Sequence, residues 1–425
     1  MTMTGSVANK ETLLQKKQEL QRAYEAFKAQ GLSLNMARGK PSVEQIRLSD
    51  AMQNMTFTEE DYFVNGNDIR SYGMLEGLPQ ARKLFSDLLG VPAENVLIGT
   101  NSSLNLMFDA VAMGYTKGFS GCEPWCRQEN VTFLCPVPGY DRHFAITEYF
   151  GLNMVNIPMT EDGPDMDQVE ELVKNPCVKG IWCVPKYANP DGTTYSDETV
   201  RRMAALSPAA KDFRIYWDNA YAVHDLYDET TPLLNLYEEC QKAGHPEMPL
   251  IFSSFAKVVY PSSSISAVAA GPQTFKALLD AASYQMIGRD KVNQLRCVRF
   301  FGDADGVKAH MKKHAALLRP KFEAILAILD EELGGKNVAR WSRPRGGYFI
   351  SVDVMPGCAK RVVELCRQGG VTLTGAGATF PFHKDPADSN IRIAPSLPPV
   401  EELVKAMELF CICVQLAAVE KELSE

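Results

Sequence analysis

From about residue 95 to residue 300, short and nearly continuous apolar runs alternate with stretches of helical period. The runs are NVLIGT (95–100), VTFLCP (131–136), NMVNIP (153–158), GIWCVP (180–185), FRIYWD (213–218), LIFSSF (250–255) and ISAVAA (265–270). Segments 103–113, 165–174, 197–205 and 272–285 between them repeat apolar residues at helical spacing. Strands apolar on both sides and separated by helices predict a mostly parallel sheet covered on both faces. Upstream, 10–30 reads as an amphipathic helix with Leu13, Leu14, Leu20, Tyr24 and Phe27 on its apolar side and Gly31 as its stop. A second helix opens at Pro79 and ends at Gly90, with Ala81, Leu84, Phe85, Leu88 and Leu89 at helical spacing.

After residue 300 the pattern changes. A long helix (about 306–333) leads to GGYFISVDV, a helix at 358–368, VTLT, NIRIAP and a last helix at 399–420, which predicts a smaller α+β domain. The expected division is 1–59 as an N-terminal helix and loop belonging to the small domain, 60–300 as the large domain, and 301–425 as the rest of the small one.

Composition narrows the function. The chain has 425 residues, 45% of them apolar, enough for a large interior in more than one domain. A net charge of −8 argues against a dedicated binder of nucleic acid or anionic membrane. Eleven cysteines, several inside apolar runs, fit reduced thiols in a cytoplasmic protein. The close pairs Cys122/Cys126 and Cys411/Cys413 lack the second pair or histidines of a zinc site, so no metal is expected. The N-terminus has no apolar signal core, and no run reaches the roughly 18 apolar residues of a membrane span.

In doubly wound sheets ligands gather beyond the carboxyl ends of the strands. There NVLI leads through Gly99-Thr100-Asn101-Ser102-Ser103 into a helix, a turn suited to holding phosphate and, taken alone, equally an ordinary helix cap. GIWCVP leads to Asn189 in an NPDG turn, FRIYWD ends in Asp218 with Tyr221 three residues on, and LIFSSF leads to Lys257. Each has a plain structural explanation as turn, cap or edge lysine. Together, a phosphate turn, an amide, an acid with a phenol, and a lysine at successive strand ends match the needs of pyridoxal 5′-phosphate (PLP).

The motifs NMARGKPS (35–42), YGMLEG (72–77) with LPQAR, GTNSS (99–103), PVPGYDRH (136–143), ANPDGT (188–193), DNAY (218–221), SSFAK (253–257), RGGYF (345–349) and NIRIAP (390–395) follow one another over most of the chain. In that order the sequence resembles the fold-type-I, class I aminotransferases, and most specifically the aspartate aminotransferases of the MocR-like type. The resemblance implies an α/β fold with a mostly parallel seven-stranded central sheet, helices on both faces and a smaller α+β domain built from both chain ends. It implies amino-acid and 2-oxo-acid substrates and a homodimer with its active sites at the interface. Lys257 is then the residue that bonds the cofactor aldehyde and shuttles the substrate proton, and Asp218 the partner of the pyridine nitrogen. Tyr221 and Asn189 bond the phenolate oxygen, and Tyr140 stacks on the ring. Asn101, Ser102, Ser103 and Ser254 hold the phosphate, with Tyr72 reaching over from the second subunit. Arg392 clamps the substrate α-carboxylate beside Gly39, which permits close backbone approach. Arg38 is the candidate for a distal carboxylate, ahead of Arg142 and Lys186. One departure stands out: Ile265 occupies the position, eight after the lysine, where many class I members carry a phosphate-binding arginine.

The expected reaction is transfer from L-aspartate to 2-oxoglutarate, with aromatic or 2-aminoadipate-like donors as the alternative. A PLP-sensing transcription regulator is disfavoured by the acidity and by the roughly thirty residues preceding NMARGK, too few for a DNA-binding domain. A non-catalytic module is disfavoured because Lys257, Asp218 and Arg392 are all present.

Overall fold

The computed structural model describes residues 3–425. All seven apolar runs form strands of one sheet: β1 Val96–Ile98, β2 Thr132–Val137, β3 Asn153–Thr160, β4 Val178–Cys183, β5 Arg214–Asp218, β6 Pro249–Ser254 and β7 Ser266–Ala270. Their spatial order is β1-β7-β6-β5-β4-β2-β3, and a two-residue strand, Gly163–Pro164, adds an eighth member beyond β3. The pairs β6–β5, β5–β4, β4–β2 and β2–β3 are parallel, and β7 runs antiparallel to both its neighbours.

Side chains alternate faces along a strand, and both faces are apolar here. Ile215 and Trp217 enter one buried cluster together with Ile181, Ile251 and helix α2 (Pro79–Leu89). Tyr216 enters a second cluster on the opposite face with Trp182, Phe252 and helix α3 (Ser103–Thr116). This two-sided burial is why the strands read as continuous apolar runs. Helix α2 has Pro79 in its first turn and Gly90 at φ 64° closing it, a left-handed residue that suits glycine.

A third cluster surrounds a separate antiparallel sheet of β8 Ala339–Trp341, β9 Ile350–Val354 and β10 Asn390–Ile393. Both chain ends contribute to it. Helix α1 (Met3–Lys28) supplies Tyr24, whose hydroxyl donates to Leu365 O at 2.9 Å, and Leu34–Asn35 pairs in parallel with Val371–Thr372. Helix α9 (Val400–Ser424) and helix α8 (Ala359–Gln368) complete this core. Helix α7 (Ala304–Leu333) joins the two regions, with Val307 and Met311 in the large-sheet core and Phe322, Ile325 and Leu329 in the other.

Four details depart from expectation. Leu14 is 45% exposed. At 100° per residue it lies well off the line of Leu20, Tyr24 and Phe27, which do pack on the core. Helix α5 (Pro272–Gln285) forms where its apolar spacing predicts, whereas helices α4 (Asp141–Tyr149) and α6 (Lys291–Phe301), and strand β8, were not anticipated. Asp141–Tyr149 and Ala339–Trp341 are short, and the apolar residues of Lys291–Phe301 follow the helical period less regularly than those of α2. Among the described residues no helix is long and apolar enough to cross a membrane, no metal-binding cluster occurs, and the eleven cysteines are free.

Candidate active site

Beyond the carboxyl ends of β4, β5 and β6 lies a cavity lined by Ser102, Ser103, Tyr140, Asn189, Asp218, Tyr221, Ser254 and Lys257. Eight residues from distant parts of the sequence thus converge at the place where a parallel sheet leaves its ligand crevice.

Asp218 ends β5 and is 3% exposed. Its Oδ2 lies 3.0 Å from His143 Nε2, so the imidazole proton belongs on Nε2, where it donates to the carboxylate. His143, one helical turn after Tyr140, stacks on Trp182 at 4.5 Å and 11° and meets Tyr140 edge-on at 4.9 Å. The Trp182 indole N–H in turn donates to Thr147 Oγ1 at 2.9 Å. The other oxygen of Asp218, Oδ1, is buried and has no hydrogen-bond partner. A buried, unbonded carboxylate oxygen is costly, and one at a cavity wall is placed to accept from a ligand N–H.

Lys257 follows β6 by three residues, in a turn where Val258 N donates to Phe255 O at 2.9 Å. Its Nζ lies 5.2 Å from the centre of the Tyr221 ring and 5.9 Å from that of Tyr348. Burial holds the amine below its ordinary pKa; Asp218 opposes this and Arg392 adds to it. Burial also pushes the Tyr221 phenol well above its ordinary value, keeping it a neutral donor.

The phosphate turn is a helix cap with space in front of it. Ser102 caps α3, its Oγ accepting from Leu104 N at 3.2 Å, and Ser103 opens the helix. The turn is laced from behind: Ser264 Oγ donates to Asn101 O, Ser266 Oγ to Thr100 O at 2.8 Å, and Asn101 Nδ2 to Pro261 O at 3.1 Å. Asn101 is therefore not among the cavity-lining side chains; its amide braces the turn. Ile265, 1% exposed, points into the large-sheet core between two serines that do the lacing.

Arg392, on β10, is 7% exposed and reaches the same region. Its NH1 donates to Asp141 Oδ1 at 2.9 Å and to Asn189 Oδ1 at 3.2 Å, and its guanidinium lies 4.8 Å above the Phe349 ring. Its Nε is buried without a partner. Gly39 backs this arrangement, since a Cβ there would collide with the Phe349 ring.

Several anticipated residues lie elsewhere. Lys186 bonds Ala222 O and Asp225 Oδ1, both at 3.1 Å, and lines a different cavity of about 630 Å³. Arg142 and Arg38 are exposed. Tyr72 is 82% exposed in the single chain and does not line the cavity.

Comparison with known proteins identifies the family. The family model for aspartate amino-transferase matches residues 8–425. The chain belongs to that family. The aminotransferase is 47% identical over 404 residues to the aspartate aminotransferase of Corynebacterium glutamicum, covering 95% of this chain and 94% of that one. It superposes on the crystal structure of an aspartate transaminase from the same organism with a TM-score of 0.95, at 46% identity and 97% coverage of both chains. An alpha-aminoadipate aminotransferase from Thermus thermophilus, complexed with N-(5′-phosphopyridoxyl)-L-leucine, shares the fold at 21% identity, a TM-score of 0.73 and coverage of 92% and 93%.

Sequence reasoning missed His143, Asp141, Phe349, Ser264 and Ser266 in this aminotransferase. His143 and Asp141 sit within PVPGYDRH, and the helical spacing from Tyr140 to His143 is a signal that was available. The roles of Phe349 and the serines depend on pairings across the fold and leave no local trace.

Proposed function

We propose that this aminotransferase binds PLP and moves the amino group of L-aspartate to 2-oxoglutarate, giving oxaloacetate and L-glutamate. The observation that carries the reading is the orphaned Oδ1 of Asp218, whose other oxygen is bonded by His143, at the wall of a cavity that also contains Lys257. That pairing suits a pyridine N–H, and the capped start of α3 suits a phosphate. When bound, the cofactor supplies an aldehyde that takes up the amino group and a protonated ring that draws electrons from the substrate α-carbon.

The chain's own residues do the rest. Asp218 keeps the ring nitrogen protonated, and His143 fixes which oxygen faces it. Tyr221 and Asn189 hydrogen-bond the ring oxygen, while Tyr140 covers the ring face. Ser102, Ser103 and Ser254 hold the phosphate over a turn braced by Asn101, and Tyr72 reaches in from the second subunit of a homodimer. Lys257, its amine held below its ordinary pKa by burial, would move the proton between the substrate α-carbon and the cofactor carbon that bears the aldehyde. Arg392 binds the α-carboxylate, supported by Phe349 and Gly39. Arg38, on a loop whose Met36 O accepts from Ala394 N on the Arg392 segment, binds the distal carboxylate. The name of the Corynebacterium glutamicum relative supports aspartate as donor. We read the chain as a cytoplasmic enzyme with a large domain at 60–300 and a small domain formed from 1–59 and 301–425.

The visible absorbance spectrum of the purified protein, before and after addition of L-aspartate, tests the proposal. A cofactor band that is absent in Lys257→Ala and shifts with aspartate supports cofactor, lysine and donor together. A band that responds only to phenylalanine or 2-aminoadipate moves the donor to that class. A protein that takes up no PLP refutes the reading.

A further inference from the structure

Arg392 already holds a carboxylate. Its NH1 donates to Asp141 Oδ1 at 2.9 Å, with the arginine side chain 7% and the aspartate side chain 29% exposed. Asn189 Oδ1 accepts from the same nitrogen at 3.2 Å, while Nε stays buried and unpartnered. A guanidinium has five N–H donors in a rigid fork that matches carboxylate geometry. Here one arm of the fork is occupied by the protein's own acid.

Asp141 is the first residue of α4, directly after Tyr140, and among the described residues its carboxylate has no other hydrogen-bond or ion-pair partner. It is therefore tied to the rest of the protein only through Arg392. If released, it would sit in the first turn of a helix, where water is at hand and the helix dipole favours negative charge. Leaving Arg392 thus costs Asp141 little, whereas Arg392 left without any anion would be a buried cation.

We propose that Asp141 is an internal stand-in for the substrate's α-carboxylate: it neutralises Arg392 while the site is empty, and an incoming carboxylate displaces it. This rests on the reading of Arg392 as the α-carboxylate site. The consequence is competition. Every amino acid and 2-oxo acid binds against Asp141, so the resident acid lowers their affinity and speeds product release by returning to NH1. The same exchange keeps the arginine from being stranded between the two half-reactions.

The test is calorimetric titration of the PLP-loaded enzyme with maleate, an unreactive dicarboxylate, at fixed ionic strength. In Asp141→Asn an acceptor of the same shape remains on NH1 but the competing charge is gone. The expected result is a Kd at least about threefold lower than in wild type, the scale of a partly exposed ion pair. Tighter binding is a gain that damage to the fold does not produce. An unchanged or higher Kd in Asp141→Asn overturns the proposal. Should that variant fail to fold, Asp141→Ser is read by the same criterion. Arg392→Ala separates the two levels: if it binds maleate as well as wild type, the carboxylate reading of Arg392 itself is wrong. If it loses binding while Asp141→Asn does not tighten, only the stand-in is wrong.

Discussion

At the scale of single residues, the site works by leaving chosen atoms unsatisfied. Asp218 has one oxygen bonded by His143 and the other open, and Arg392 has NH1 occupied and Nε open. Removing the charge of Asp218 should therefore affect chemistry more than folding. Asp218→Asn is expected to retain its fold and lower kcat by about two orders of magnitude, because a neutral amide does not stabilise a protonated ring nitrogen. Steady-state kinetics alongside a melting curve would check this, and a kcat near wild type would remove Asp218 from the mechanism. Gly39→Ala should act through a neighbour. Its methyl pushes on the Phe349 ring that underlies Arg392 at 4.8 Å, so KM for amino acid and oxo acid should rise about tenfold. An unchanged KM would show that the ring yields without moving the arginine.

At the scale of elements, the phosphate turn shows how much an ordinary helix start depends on what stands behind it. Ser102 satisfies one N–H of α3, while Ser264, just before β7, and Ser266, its first residue, pin the carbonyls of Asn101 and Thr100. Ser102→Ala should cost about 1 kcal/mol of stability in urea denaturation, the usual value of a lost cap. Ser264→Ala should leave the cap intact and instead raise the PLP dissociation constant, measured by fluorescence. Equal effects of the two variants on both quantities would argue against a division of labour between cap and brace. The element pattern itself was largely legible: α2 was bracketed by Pro79 and Gly90, and each of the seven strands overlapped one of the apolar runs. The run NVLIGT and the turn after it were visible, but the lacing serines were not. Their partners lie 163 and 166 residues away and are set by the neighbouring positions of β1 and β7 in the sheet.

For the whole molecule, a buried histidine group lies where α7 passes beneath the active-site turn. His310 Nε2 lies 2.9 Å from Val258 O, next to Lys257, and His314 Nδ1 lies 3.1 Å from Gln45 Nε2. His224, 3% exposed, packs edge-on against Tyr221 and Tyr348. Burial lowers the pKa of all three, bringing His314 to about 4. An unfolded chain binds these protons near pH 6.5 and the native one does not, so the unfolded state is favoured as pH falls. Stability should be full above about pH 6.5 and decline toward pH 4, with His314 alone accounting for on the order of 3 kcal/mol across that window. Urea denaturation at several pH values would test this. His314→Gln should flatten the dependence, and an identical slope in that variant would exclude His314 as a contributor. The proposed homodimer makes its own prediction: light scattering should report a dimer, and Tyr72→Phe should weaken PLP retention if Tyr72, 82% exposed in one chain, reaches the site of the second.

The sequence by itself determined the strand set, the helices with strong apolar period, and the chemical residues at the strand ends. Periodicity and turn chemistry are local, and a motif such as DNAY or SSFAK carries its own strand-end context. Only the tertiary structure decided which of those residues face one cavity. It turned Lys186 toward Asp225, turned Asn101 onto Pro261, and paired Asp141 with Arg392 across 251 residues. Such pairings follow from strand order and helix docking, where a side chain's partner depends on how distant segments pack, and no spacing along the chain records that.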